Sequence, residues 1–117
     1  MKNKLKKLRY TVTTTNTSYS VYATIDLSAD ESNMAEVAEF VCRANYGLRN
    51  GNFELDFRDG EVRYKCFVNC DGTVPDREVV KDSIYIPYFM MKKYGDELVA
   101  VLFGMKSGKD AVAAAEA

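Results

Sequence analysis

Glu54, Asp56 and Glu61 fall within one short stretch, and closely spaced carboxylates are the raw material of general acid–base chemistry. A glycosidase-like pair needs one carboxyl that keeps its proton and a second that stays ionised. Cations are interleaved with these acids, however: Arg58, Arg63 and Lys65. Asp59-Gly60 is the strongest short-range hairpin signal, because a type I′ turn needs positive φ at both central positions. A two-residue loop there sets Arg58 opposite Glu61, Asp56 opposite Arg63 and Glu54 opposite Lys65, all on one face. The other face then carries Phe53, Leu55 and Phe57 against Val62, Tyr64 and Cys66. A cation facing each acid favours the ionised form and leaves no proton donor at neutral pH. The cluster therefore reads as sheet architecture, each exposed pair contributing about 0.2–1 kcal/mol.

Other chemistry is thinly supplied. The chain has no histidine, the usual base near neutral pH and the commonest metal ligand. Cys42, Cys66 and Cys70 lack the C-x-x-C spacing of zinc or redox sites. Cys66 and Cys70 share a strand face about 13 Å apart, too far for a mutual disulfide. All three are expected to be small buried hydrophobes in a reducing cytosol, with a reactive thiol at Cys70 as the alternative. Gly104-Met105-Lys106-Ser107-Gly108-Lys109 does not satisfy the phosphate-loop pattern, because Asp110 follows where Ser or Thr is needed. Lys2, Lys4, Lys6, Lys7 and Arg9 form a small basic arm that reads as a solvated end rather than a nucleic-acid contact, since the net charge is −1. No catalytic residue, metal site or cofactor site emerges. No stretch approaches the roughly 18 apolar residues of a membrane span, and Thr13–Asn16 interrupt any signal-peptide core. The expected location is the cytoplasm.

The elements that position these residues follow from periodicity. At 117 residues the chain makes one domain, residues 1–117. Leu8–Thr14 and Tyr19–Leu27 alternate around Asn16-Thr17-Ser18 and form a first hairpin. In its second strand Tyr19, Val21, Ala23, Ile25 and Leu27 point inward. Ser28 through Glu31 offers a capping box, with Asp30 and Ser32 as further caps. Met34, Val37, Ala38, Val41, Ala44 and Leu48 then form a helical stripe ending at Gly47, an αL C-cap. After the charged hairpin, Thr73 caps and Pro75 opens a long helix with Val80, Ile84, Tyr88, Met91, Leu98 and Leu102 inward. Pro87 is expected to kink it and Gly95 to divide it. A short Ala-rich helix, Ala111–Ala115, begins at Ser107 or Asp110 and frays. The order is ββαββα(α), an α+β fold with helices on one face of a twisted antiparallel sheet of two hairpins.

Aromatic residues supply the strongest functional signal. Tyr85, Tyr88, Phe89, Met90, Met91 and Tyr94 crowd around Pro87, and one helix face cannot bury them all. Core packing accounts for part of the set; a homodimer or partner surface accounts for the remainder, since Met and aromatic side chains are typical of interface cores. Phe67 and Tyr22 fall on the polar side of their strands. They are either covered by the C-terminal helix or available to receive a peptide on the open sheet.

Several of these features also carry a family likeness. Asn45 late in the first helix, Gly51-x-Phe53 leading into the strand, Leu55-Asp56-x-x-Asp59-Gly60-Glu61-x-x-Tyr64, and Gly104 with Asp110-Ala111 resemble the YbjN-type bacterial sensory transduction regulator family over about Tyr19–Glu116. The resemblance implies a type III secretion chaperone-like fold, often dimeric, with no enzyme activity. The family usually carries a further helix and strand ahead of the first hairpin, where this chain has Met1–Lys7, so it resembles an N-terminally shortened member. The expected function is a regulatory or chaperone-like protein-binding module, self-associating as a homodimer. Its contact residues are Tyr85, Tyr88, Phe89, Met91, Tyr94 and Phe67, and neither nucleic acid nor membrane is a partner. The alternative is a small-ligand sensor with a pocket lined by Tyr64, Tyr85, Tyr88 and Phe89.

Overall fold

Two alternating segments, β1 (Leu8–Thr14) and β2 (Ser18–Ser28), pair antiparallel through the turn at Asn16-Thr17. The computed structural model describes residues 7–117, so Lys2, Lys4 and Lys6 of the basic arm lie outside the described residues. Helix α1 (Met34–Tyr46) follows, then strands β3 (Asn52–Leu55) and β4 (Glu61–Asn69), then helices α2 (Arg77–Leu102) and α3 (Gly108–Glu116). The sheet order is β1-β2-β4-β3, so the two hairpins sit side by side and every pairing is antiparallel. The helices cover the face that carries Val21, Ala23, Ile25, Phe53, Val62, Tyr64 and Cys66, as the ββαββα pattern predicts.

At the centre of the core, Phe53 meets Tyr64, Tyr94 and Phe40 edge-on, with ring centroids 5.0, 5.4 and 6.0 Å apart. Phe40, absent from the expected stripe, is the largest α1 side chain in this core: Val37, Phe40 and Ala44 are its buried line. Asn45 joins that helix to the sheet. Its side chain accepts from the Phe53 N–H at 2.7 Å and donates to the Phe53 carbonyl at 3.0 Å, pairing as a strand neighbour would. Gly47 occupies the C-cap at φ −99°, so the expected left-handed cap does not form there. Asn33, rather than Asp30 or Ser32, is the N-cap residue; its amide accepts from Asp30 N–H and donates to the Leu102 carbonyl.

The charged hairpin departs from its expected register by two residues. Glu54 pairs with Arg63 and Leu55 with Val62, and five residues, Asp56–Gly60, lie between the two strands. The cause is local hydrogen bonding. The Asp56 carboxylate accepts from Arg58 N–H at 2.9 Å, Gly60 N–H bonds the Asp56 carbonyl at 2.7 Å, and Asp59 accepts from Glu61 N–H at 3.0 Å. Gly60 alone in this loop has positive φ, +79°, so Asp59 is not in a type I′ turn. Phe57 consequently sits exposed in the loop instead of on the inner face. A shift of two preserves the face of every strand side chain, and the charges stay together on the open face.

Helix α2 runs unbroken through Pro87 and Gly95. Its N-cap is Asp76, whose side chain accepts from Val79 N–H, rather than Thr73. Helix α3 is longer than the expected Ala111–Ala115 and is tied down along its length. Ser107 caps it, Gly108 N–H donates to Glu36, Tyr94 donates to Glu116, and Ala111 and Val112 are buried against α1 and α2. Such anchoring overrides the usual looseness of a chain end.

Candidate functional site

The carboxylates offer no acid–base pair. Glu54 holds both Arg63 at 2.8 Å and Lys65 at 3.3 Å, Asp56 holds Arg58 at 2.8 Å, and Glu61 holds Arg9 at 3.2 Å. Hydrogen bonds from Arg58 hold the Asp56 carboxyl down to about 2, so it is ionised throughout the neutral range. The polar hollow beside them, about 520 Å³, is lined by Glu54, Asp56, Arg58, Glu61 and Arg63 together with Leu55 and Phe57. Among the described residues, no group of three or more His, Cys, Asp or Glu could hold a metal. No helix there is long and apolar enough to cross a membrane.

The thiols are divided. Cys66 is buried as expected, and burial pushes its thiol up to about 11, which keeps it protonated and unreactive near neutral pH. Cys70 is half-buried. Cys42 corrects the expectation by facing solvent on α1, because the helix turns its buried line to Val37, Phe40 and Ala44 instead.

The aromatic helix separates into two sets. Met91 and Tyr94 are buried in the core, so neither belongs to an exposed contact surface. Tyr94 donates to Glu116, and its hydroxyl is raised above its ordinary value, first by burial and then by that carboxylate. Tyr85, Tyr88 and Phe89 remain on the outside, 50%, 44% and 53% exposed. Their rings touch one another: Tyr85 stacks on Phe89 at 6.2 Å, and Tyr88 meets Phe89 edge-on at 5.5 Å. Ile84 and Tyr88, expected inward, point outward because Ser83 and Pro87 take the buried side. A serine is tolerated there because its hydroxyl donates to the Val80 carbonyl at 2.7 Å and accepts from Tyr19 at 2.8 Å.

Strand β1 completes the outward set. Tyr10 and Val12 lie on the helix side of the sheet but beyond the helices' cover, 43% and 56% exposed. Tyr10 meets Ile84, Tyr85 and Tyr88 around a groove of about 230 Å³. Its hydroxyl is raised by partial burial and by Tyr88. Only the alternation of Leu8, Tyr10 and Val12 hinted at these residues, and it gave no sign that the strand would overhang. Phe67 is exposed on the opposite sheet face, so it does not join this cluster, and Tyr22 on that face lies under Arg63, 4.0 Å from its ring centroid. The C-terminal helix covers neither, being seated on α1 and α2. Tyr64 is likewise apart, buried beside Ile86, Met90 and Tyr94 near the loop Gly47–Asn50, where a hollow of about 470 Å³ opens. The pocket expected between Tyr64, Tyr85, Tyr88 and Phe89 therefore does not form.

Comparison with family models, with curated proteins and with solved structures returns no match for this chain.

Proposed function

We propose that the chain is a non-enzymatic protein-binding module working in the cytoplasm, a YbjN-type regulator with a chaperone-like sheet. The observation that carries this reading is the contiguous exposed cluster of Tyr85, Tyr88 and Phe89 with Ile84, Tyr10 and Val12. Rings held against one another on a helix lose little entropy on contact, and aromatic side chains dominate interface energetics. Within the charged hairpin Asp56 and Glu54 are paired with Arg58 and Arg63, and Cys66 is buried. A photo-crosslinking residue placed at Phe89 or Tyr85 in the native cells is expected to give discrete protein adducts. The same residue at Tyr46, an exposed ring on the far helix, is expected to give none. Absence of adducts at both α2 positions overturns the proposal.

A second reading, a small-ligand sensor, is favoured by the 470 Å³ hollow lined by Tyr64, Tyr94, Met90 and Lys93. Its size falls within the roughly 300–1,000 Å³ of ligand sites. A metabolite binding there raises the melting temperature in a thermal-shift screen; a screen without hits that Met90→Trp abolishes removes this reading.

A further inference from the structure

We infer that the aromatic cluster is one half of a symmetric interface in which β1 pairs antiparallel with β1 of a second copy, making one continuous eight-stranded sheet. The inference rests on reading the α2 cluster as a protein-contact surface and names the occupant.

The backbone carries the first argument. Strand β1 ends the sheet, paired with β2 alone among the described strands. Thr15 N–H bonds the Ser18 carbonyl at 2.8 Å, which makes that pair a hydrogen-bonded one. The pattern alternates along an antiparallel ladder, so Thr13, Thr11 and Arg9 also bond toward β2. Leu8, Tyr10, Val12 and Thr14 therefore turn their N–H and C=O groups toward the free edge. This edge is seven residues long, and it holds no proline, no lysine and no bulge, the devices that protect lone edges.

Self-complementarity carries the second. A two-fold axis through Thr11 places Tyr10 opposite Val12 and Leu8 opposite Thr14 of the second copy, using every outward group in about eight backbone hydrogen bonds. Arg9, the strand's single charge, then faces Thr13 rather than another arginine. Antiparallel pairing about such an axis keeps both helix layers on the same side of the sheet. The Tyr10, Val12, Ile84, Tyr85 and Tyr88 clusters consequently meet above the new β1–β1 ladder.

Area carries the third. Six side chains about half exposed, Phe89 included, amount to on the order of 500 Å² of apolar surface per copy. With the strand edge added, this approaches the roughly 800 Å² per partner of a stable interface.

Light scattering across a concentration series is expected to show a dimer. Val12→Pro removes one outward N–H, a change an edge strand tolerates, and is expected to weaken the dimer roughly 100-fold while leaving the circular dichroism intact. In the unsubstituted protein, amide exchange by NMR is expected to protect Tyr10, Val12 and Thr14 at high concentration and release them on dilution. This second measurement holds even where the proline variant does not fold. A dimer whose Tyr10, Val12 and Thr14 amides exchange freely overturns the edge pairing but leaves the contact surface standing. A strict monomer at hundreds of micromolar overturns the second copy as occupant, and adducts at Phe89 to a different protein then show that the surface reading survives.

Discussion

Gly60→Ala is expected to lower the unfolding free energy by about 3 kcal/mol or more, measured by urea denaturation. Two separate costs combine at this position. The residue sits at φ +79°, where a side chain costs about 1–2 kcal/mol. A methyl group there would also overlap the Ala29 backbone, carbonyl included, and backbone atoms cannot rotate aside. The hairpin loop is pinned to that point because Ala29 N–H donates to the Gly60 carbonyl at 2.8 Å. The β2–β4 register slips between Thr24 and Ser28, and the strand arrives at Ala29 against the loop. Relieving the overlap therefore means giving up a buried contact at the base of α1. Gly72→Ala separates the two costs, since Gly72 has φ +75° but nothing within 4 Å of the added carbon. Its expected loss is about 1 kcal/mol, the conformational share alone. Equal losses in the two variants would show that the Ala29 contact contributes nothing.

Why that hairpin could be read only in part is a matter of which interactions are local. Alternation marked β1 at Leu8–Thr14 to the residue, because strand and turn signals there agreed. At Asp59-Gly60 the dipeptide rule pointed to a two-residue turn. The Asp56 carboxylate captured Arg58 N–H and closed a longer loop, a competition between side chain and ladder that composition does not weigh. The same limit applies to α2. An apolar residue at Ile84 or Tyr88 reads as inward and Ser83 as outward, yet Tyr19 satisfies the serine hydroxyl from a strand far away in the chain. The buried line of the helix runs through Ser83, Pro87, Met91, Tyr94 and Leu98, and that long-range bond satisfies its polar member. The crowding around Pro87 was legible as more apolar surface than one face can bury. Its division into buried Met91 and Tyr94 and exposed Tyr85, Tyr88 and Phe89 was not.

The buried half of that division supports the second large effect. Phe53→Ala is expected to cost about 3–5 kcal/mol, with the top of the range favoured by its surroundings. The ring is 1% exposed and makes edge-on contacts with Phe40, Tyr64 and Tyr94, drawn from α1, β4 and α2. Each such pair is worth about 0.5–1.5 kcal/mol beyond burial. Neighbouring side chains cannot close the gap easily. Tyr64 is tied to the Asn50 carbonyl at 2.5 Å and Tyr94 to Glu116 at 2.7 Å, so moving either ring breaks a hydrogen bond. A loss of this size is a large share of the roughly 5–15 kcal/mol that holds a small domain folded. Phe53→Leu refills most of the volume and is expected to recover about half of the loss. The comparison is made by chemical denaturation of both variants, at concentrations low enough that association does not add to stability. An alanine variant that loses less than about 1.5 kcal/mol would show that the four rings are not the centre of the core. The aromatic cluster outside them would then have no rigid backing, for Tyr85, Tyr88 and Phe89 are carried on the turns of α2 that Met91 and Tyr94 anchor to Phe53 and its neighbours.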